Sequence, residues 1–158
     1  MAVVGAAGLV AAAALLSGRG GDPQSNLDPE RIMVLPLVNE TGDTALEVIG
    51  LLAADWITHA VERMGDLKTV PFLEVQEMLQ AGLNPEAAAF QRKAGTVVSG
   101  RYFTSPGDSL DLHVRITDLG EGTLWHVLDP VRILPEAYSP GLRELQGRVA
   151  GSLGVRFN

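Results

Sequence analysis

The stretch 31–64, RIMVLPLVNETGDTALEVIGLLAADWITHAVERM, constrains this chain more than any other. It reads as an apolar strand at 32–38, a tight polar loop at 39–43, and then one long amphipathic helix. Thr44 with Glu47 three residues on has the form of a capping box, in which each side chain satisfies a backbone N–H left free in the first turn. Leu46, Ile49, Ala53, Trp56, Ala60 and Met64 recur at steps of three and four, so they share one helix face, with Trp56 at its centre. Gly65-Asp66 closes the helix, and 67–72 (LKTVPF) begins a second strand. Strand, helix and strand in this order form a βαβ unit, the opening of an α/β domain with a parallel strand pair.

The remainder extends that unit. A short helix at 73–81 turns Val75, Met78 and Leu79 inward. Asn84-Pro85-Glu86 supplies an N-cap, a proline at the first helical position and an acid in the first turn, so another helix starts there and stops at Gly95. A third strand covers 96–103, with Gly100 inside it as a point of close approach. After a turn at 105–108, Leu110, Leu112, Val114 and Ile116 alternate with Asp111, His113, Arg115 and Thr117, the pattern of a strand with one wet face. A turn at 118–123 leads to a fifth strand at 124–128, and Pro130 and Pro135 limit 131–134 to an edge extension. The last helix opens at Ser139-Pro140 and faces inward with Leu142, Leu145, Val149 and Leu153. The predicted fold is α/β: a mixed five-stranded sheet connected β-α-β-α-α-β-β-β-α, with helices packed on it and an apolar helix before it. Right-handed crossovers place the second and third strands on either side of the first, giving the order 2-1-3-4-5.

Residues 2–16 are an unbroken run of Ala, Val, Leu and Gly. A spanning helix takes about 20 apolar residues, and a secretory signal carries a basic segment ahead of its apolar one. The run is shorter than the first and lacks the second. Residues 1–18 are therefore read as a transmembrane tail or signal-like segment, 19–30 as a flexible linker of Gly, Pro, Asp and Ser, and 31–157 as the domain. That order predicts a membrane anchor or an export signal ahead of the domain. Arg19 alone favours a cytoplasmic position for the segment after it.

The charge pattern excludes nucleic acid as a partner: the net charge is −7 and the 12 Lys and Arg are scattered, whereas phosphate backbones call for a basic stripe. Without cysteine there is neither a disulfide nor a thiolate. His59, His113 and His126 have no ligand spacing, although His113 and His126 could face each other across the hairpin. Phosphate-cradling glycine motifs and a serine elbow are also missing. No catalytic residue, metal or cofactor is predicted. The candidate ligand site is the loop, with Asn39, Thr41, Gly42 and Asp43 at the carboxyl end of a parallel strand, facing a helix N-terminus. The same residues also suit plain helix capping and chain reversal. Asn39-Glu40-Thr41 matches a glycosylation sequon as well.

Three stretches together, IMVLPLVNETGD, VIGLLAADWITHAVERMGDLKTV and AGTVVSGRYFTSPGDSLDLHVRITDLGEGTLWH, resemble the TolB amino-terminal-like domain. The resemblance rests on Leu35, Pro36, Asn39, Gly42 and Asp43, then Gly50 and Leu51, Val98 and Gly100, and finally Asp118, Gly122, Leu124 and Trp125. Where the family commonly has Phe, this chain has Leu37, and KAGTVV leads into the third strand. Such domains follow the transmembrane helix of bacterial serine/threonine kinases and adenylate cyclases that carry tetratricopeptide repeats. The resemblance implies a non-catalytic sensory or protein-interaction domain, anchored in the inner membrane and facing the periplasmic or other extracytoplasmic side, a piece of a larger signalling protein whose partners are other proteins or envelope components. The competing expectation is a small-molecule-binding or hydrolytic α/β domain that uses the loop 39–43.

Overall fold

The computed structural model describes residues 23–158. The apolar segment and the first residues of the linker lie outside the described residues. The elements are β1 (Asp28–Val34), β2 (Val38–Asn39), α1 (Glu47–Glu62), β3 (Lys68–Thr69), α2 (Phe72–Gln80), α3 (Pro85–Gln91), β4 (Ala94–Ser105), β5 (Ser109–Asp118), β6 (Thr123–Val127), β7 (Val131–Ile133) and α4 (Ser139–Phe157). The sheet runs β3-β1-β4-β5-β6. β1 is parallel to both β3 and β4, while β4, β5 and β6 are joined as antiparallel hairpins. This mixed α/β sheet has the strand order that right-handed crossovers dictate.

It has seven strands rather than five, because two of the expected strands are broken. Pro36 has no N–H to give to a ladder. The chain leaves the sheet there, and the Leu37 N–H bonds instead to the Gly50 carbonyl of α1 at 3.2 Å. It rejoins as β2, with Val38 opposite Arg101. At the far edge Pro130 has the same effect. β6 pairs with the second half of β5 and β7 with the first half.

Two boundaries differ from the sequence reading. β1 starts at Asp28, opposite Ala94, so three residues assigned to the tether belong to the sheet. Gly95 does not stop a helix. α3 has already ended at Gln91, with Lys93 in the left-handed region at φ 56°. Gly95 lies in β4, where a Cβ would sit 2.7 Å from the Asp28 carbonyl oxygen, so only glycine lets β1 and β4 approach here.

Each sheet face has its own core. On one, Ile32, Val34, Val98, Leu112 and Ile116 meet α1 and α4. On the other, Met33, Leu35 and Val97 meet Val75, Met78 and Ala88 of α2 and α3. All four apolar residues expected on the inner face of α4 are fully buried. In α1 the buried face is Ile49, Ala53, Ala54, Ile57, Ala60 and Val61. Trp56 is only half-buried and packs against the margin of that core. Among the described residues, the segment Thr44–Glu62 is long and apolar enough to cross a membrane. Its apolar face is the one that packs on the sheet and α4.

Candidate functional site

The segment of Asn39, Glu40, Thr41, Gly42 and Asp43 lies where the sequence places it, running from the last residue of β2 toward the start of α1. Its polar groups are largely bonded to one another. Asn39 donates from Nδ2 to the Asp43 carbonyl at 2.8 Å, and its Oδ1 accepts from the Thr41 N–H at 2.9 Å and the Thr41 hydroxyl at 2.7 Å. The Thr41 Oγ1 in turn accepts from the Asp43 N–H at 3.0 Å. Gly42, at φ 81°, allows the reversal. Asp43, rather than Thr44, caps the helical entry: its Oδ1 accepts from the Ala45 N–H at 2.9 Å, and Thr44–Leu46 form a 3₁₀ turn before α1 begins. A capping box of Thr44 and Glu47 therefore does not form, since the short carboxylate of Asp43 reaches the free N–H first. Beside the loop is an open groove of about 290 Å³ lined by Pro36, Leu37, Asn39, Glu47 and Leu51.

A second region emerges only from the strand register. α2 and α3 cover the β3-β1 side of their sheet face and the start of β4. Among the described residues, no helix packs on that face from Ser99 onward. β4 and β5 pair Ser99 with Arg115, Arg101 with His113, and Phe103 with Asp111, and side chains directly opposite share a face. The open face thus presents Arg101 and Arg115 as exposed cations, with the Phe103 and His113 rings 4.7 Å apart. β7 adds Arg132 opposite Asp111, joined by an ion pair of 2.9 Å. That hydrogen bond, then one from Ser105, holds the Asp111 carboxyl below its ordinary range. Arg101 is 3.6 Å from Glu40. Arg115 bonds the Ser99 hydroxyl at 3.2 Å and, among the described residues, has no carboxylate partner.

All five residues of β6 are exposed, including Leu124, Trp125 and Val127. Leu124 and Val127 oppose Thr117 and Arg115, so they border the cationic face. Trp125 lies at the register shift and turns toward α4, where the Arg156 guanidinium stacks 5.1 Å from its ring. The histidines do not converge: His113 faces Arg101, while His126 pairs with Ile116 and lines an open groove of about 400 Å³ with Asp129, Arg148 and Ser152. Among the described residues no three His, Asp or Glu side chains are placed to hold a metal. The sequence held one signal for the open face, the polar alternation of β5. It did not give the register that aligns β5 with Arg101.

No family model matches the chain, and no curated protein does. Solved structures do resemble it. The lipoprotein GNA1162 of Neisseria meningitidis superposes with a TM-score of 0.51 at 19% identity, over 78% of this chain and 97% of that one. The LpoB C-terminal domain of Salmonella enterica gives 0.47 at 13%, over 68% and 84%. TolB of Acinetobacter baumannii gives 0.47 at 14%, over 76% of this chain and 26% of that one. At such identities the likeness to GNA1162 is one of fold.

Proposed function

We propose that this chain is a membrane-tethered, extracytoplasmic domain that binds another protein and has no catalysis of its own. The observation that carries the reading is the uncovered half of the sheet with its exposed edge. Leu124 and Val127 are more than half exposed, at 56% and 58%, beside the exposed Arg101 and Arg115, the second of which has no carboxylate partner among the described residues. A mixed apolar and arginine-bearing face is the composition of a protein interface. The apolar run at 2–16 supports the tether. The lipoprotein character of GNA1162 is in keeping with an envelope setting. A role within a larger signalling protein, as the TolB-like resemblance implies, belongs to the same reading.

Two results test it. The full chain should sediment with membranes and be digested by protease added to spheroplasts, and a photo-crosslinker at Val127 should yield one discrete crosslinked protein. A chain recovered in the soluble fraction would contradict the tether, and a Val127 position that crosslinks nothing would contradict the interaction.

The groove beside the loop favours one second reading, a small-molecule site at Asn39, Thr41, Gly42 and Asp43. A ligand that raises the melting temperature of the parent but not of Asp43→Ala would establish it.

A further inference from the structure

We infer that the open face of β4 and β5 is a docking site for an extended acidic segment of a partner protein, read by Arg101 and Arg115. The inference rests on the interaction reading above and names the chemistry of the partner.

The two arginines are diagonal neighbours in the ladder: Arg101 lies opposite His113, two residues from Arg115 on the same strand and face. Diagonal pairs are about 7–8 Å apart at the backbone, within reach of long side chains. Two guanidiniums so placed repel each other. Glu40 meets only Arg101, and Arg115 is held through Nε by the Ser99 hydroxyl, which leaves the fork of its terminal nitrogens to solvent. A carboxylate matches that fork in a bidentate geometry. The face carries Arg101, Arg115 and Arg132 against Glu40 and Asp111, that is 3 − 2 = +1 with His113 neutral, in a chain of net charge −7. The remainder is therefore −7 − 1 = −8. A cationic patch on so acidic a chain guides anionic partners to one place.

An anionic bilayer or a nucleic acid would be repelled by that remainder. A short extended peptide is not, because it can lie on the patch alone when acidic and apolar residues take turns at every second position, whose side chains share one side. Its carboxylates would meet the arginines, and its apolar side chains would meet Phe103, Leu124 and Val127, which interleave with them. Every second side chain of an extended segment is about 6.6–6.8 Å from the last on the same side, close to the diagonal separation of the two arginines.

The probe is a fluorescein-labelled peptide of repeated Glu-Ser-Val-Ser, which sets Glu and Val in turn on one side of an extended chain, titrated into the full chain and followed by anisotropy at low and moderate salt. Binding should weaken as salt rises. Each of Arg101→Gln and Arg115→Gln should weaken it by about tenfold, since a charged hydrogen bond is lost. Arg63→Gln, on the far side of the domain at the end of α1, should leave it unchanged, and all three variants should melt with the parent. Equal affinity for the double variant, equal affinity for a Lys and Val peptide, or no binding would overturn the inference. So would self-association of the chain that Arg115→Gln abolishes, because the occupant would then be a second copy. If Val127 still crosslinks to a partner while the acidic peptide fails, only the acidic occupant falls. If both fail, the interaction reading falls as well.

Discussion

The Tyr102 hydroxyl donates to the Leu46 carbonyl at 2.6 Å and accepts from the Gly50 N–H at 3.3 Å, fastening the middle of β4 to the first turn of α1. Tyr102 is fully buried. A Cβ on Gly50 would lie 2.2 Å from the Leu37 carbonyl oxygen and 3.1 Å from the Tyr102 ring, so the helix can lie this close to the sheet only with glycine there. Gly50→Ala should cost about 1–3 kcal/mol through overpacking. Tyr102→Phe should cost about 1–2 kcal/mol, as the Leu46 carbonyl loses its partner. Urea titrations of both variants check this.

Burial pushes the Tyr102 phenol above its ordinary value, outweighing the hydrogen bond from Gly50. With the folded value raised, stability is full below the unfolded value near pH 10 and is lost as pH rises through the folded one. Tyr102→Phe should flatten the alkaline limb of the melting curve against pH. An unchanged limb would mean that the phenol does not carry it.

Asp111 has the opposite sign. Its carboxyl is held low by Arg132 and then Ser105, so its contribution is present above the unfolded value near pH 4 and is lost as pH falls through the folded one. Arg132→Gln should lower stability at neutral pH and reduce the loss as pH falls below about 4. Melting temperatures of parent and variant across that window test the pair.

Arg156 and Asp118 form an ion pair that is nearly buried, at 11% and 12% side-chain exposure. It ties the last turn of α4 to the β5–β6 turn, with the guanidinium stacked against Trp125 and Phe157. Asp118→Asn leaves a desolvated guanidinium without its countercharge and should cost about 3–5 kcal/mol. Asn at 118 can still accept from the Glu121 N–H, as Oδ1 does at 3.0 Å in the parent, so the turn survives. Adding Arg156→Met should recover most of the loss. A double variant no more stable than the single would place the cost elsewhere.

The contrast between Trp56 and Ile57 shows where periodicity stops being informative. Steps of three and four locate the apolar stripe of α1, but two stripes one residue apart fit the same run of Leu, Ala, Ile and Val. The sheet and α4 select the one through Ile57, which is 1% exposed. Ile57→Ala should therefore cost more than Trp56→Ala, about 2–5 kcal/mol against a smaller loss. Trp56→Ala as the costlier variant would restore Trp56 to the centre.

The strand order was legible because handedness restricts βαβ connections so strongly. The inner face of α4 was legible because Gly, Arg and Glu flank its four leucine and valine positions. The breaks at Pro36 and near Pro130 depend on where the freed N–H groups find partners, such as the Leu37 amide on Gly50, and no local pattern encodes that. The loop 39–43 was found in place, but its internal bonding could not be read from residue types that serve capping and binding alike. The open face was the least visible. Arg101 and Arg115 are fourteen positions apart, and only the β4–β5 register brings them together.

The most direct test of an interaction domain working through its open face is paired photo-crosslinking in intact cells. The full chain would carry the photoreactive residue at Val127 in one strain and at Thr41 in another, at matched expression. A discrete crosslinked protein from Val127, lost when Arg101→Gln and Arg115→Gln are added and absent from Thr41, is the predicted result. A crosslink from Thr41 that persists in the arginine double variant, with none from Val127, would contradict the account and move the functional surface to the loop.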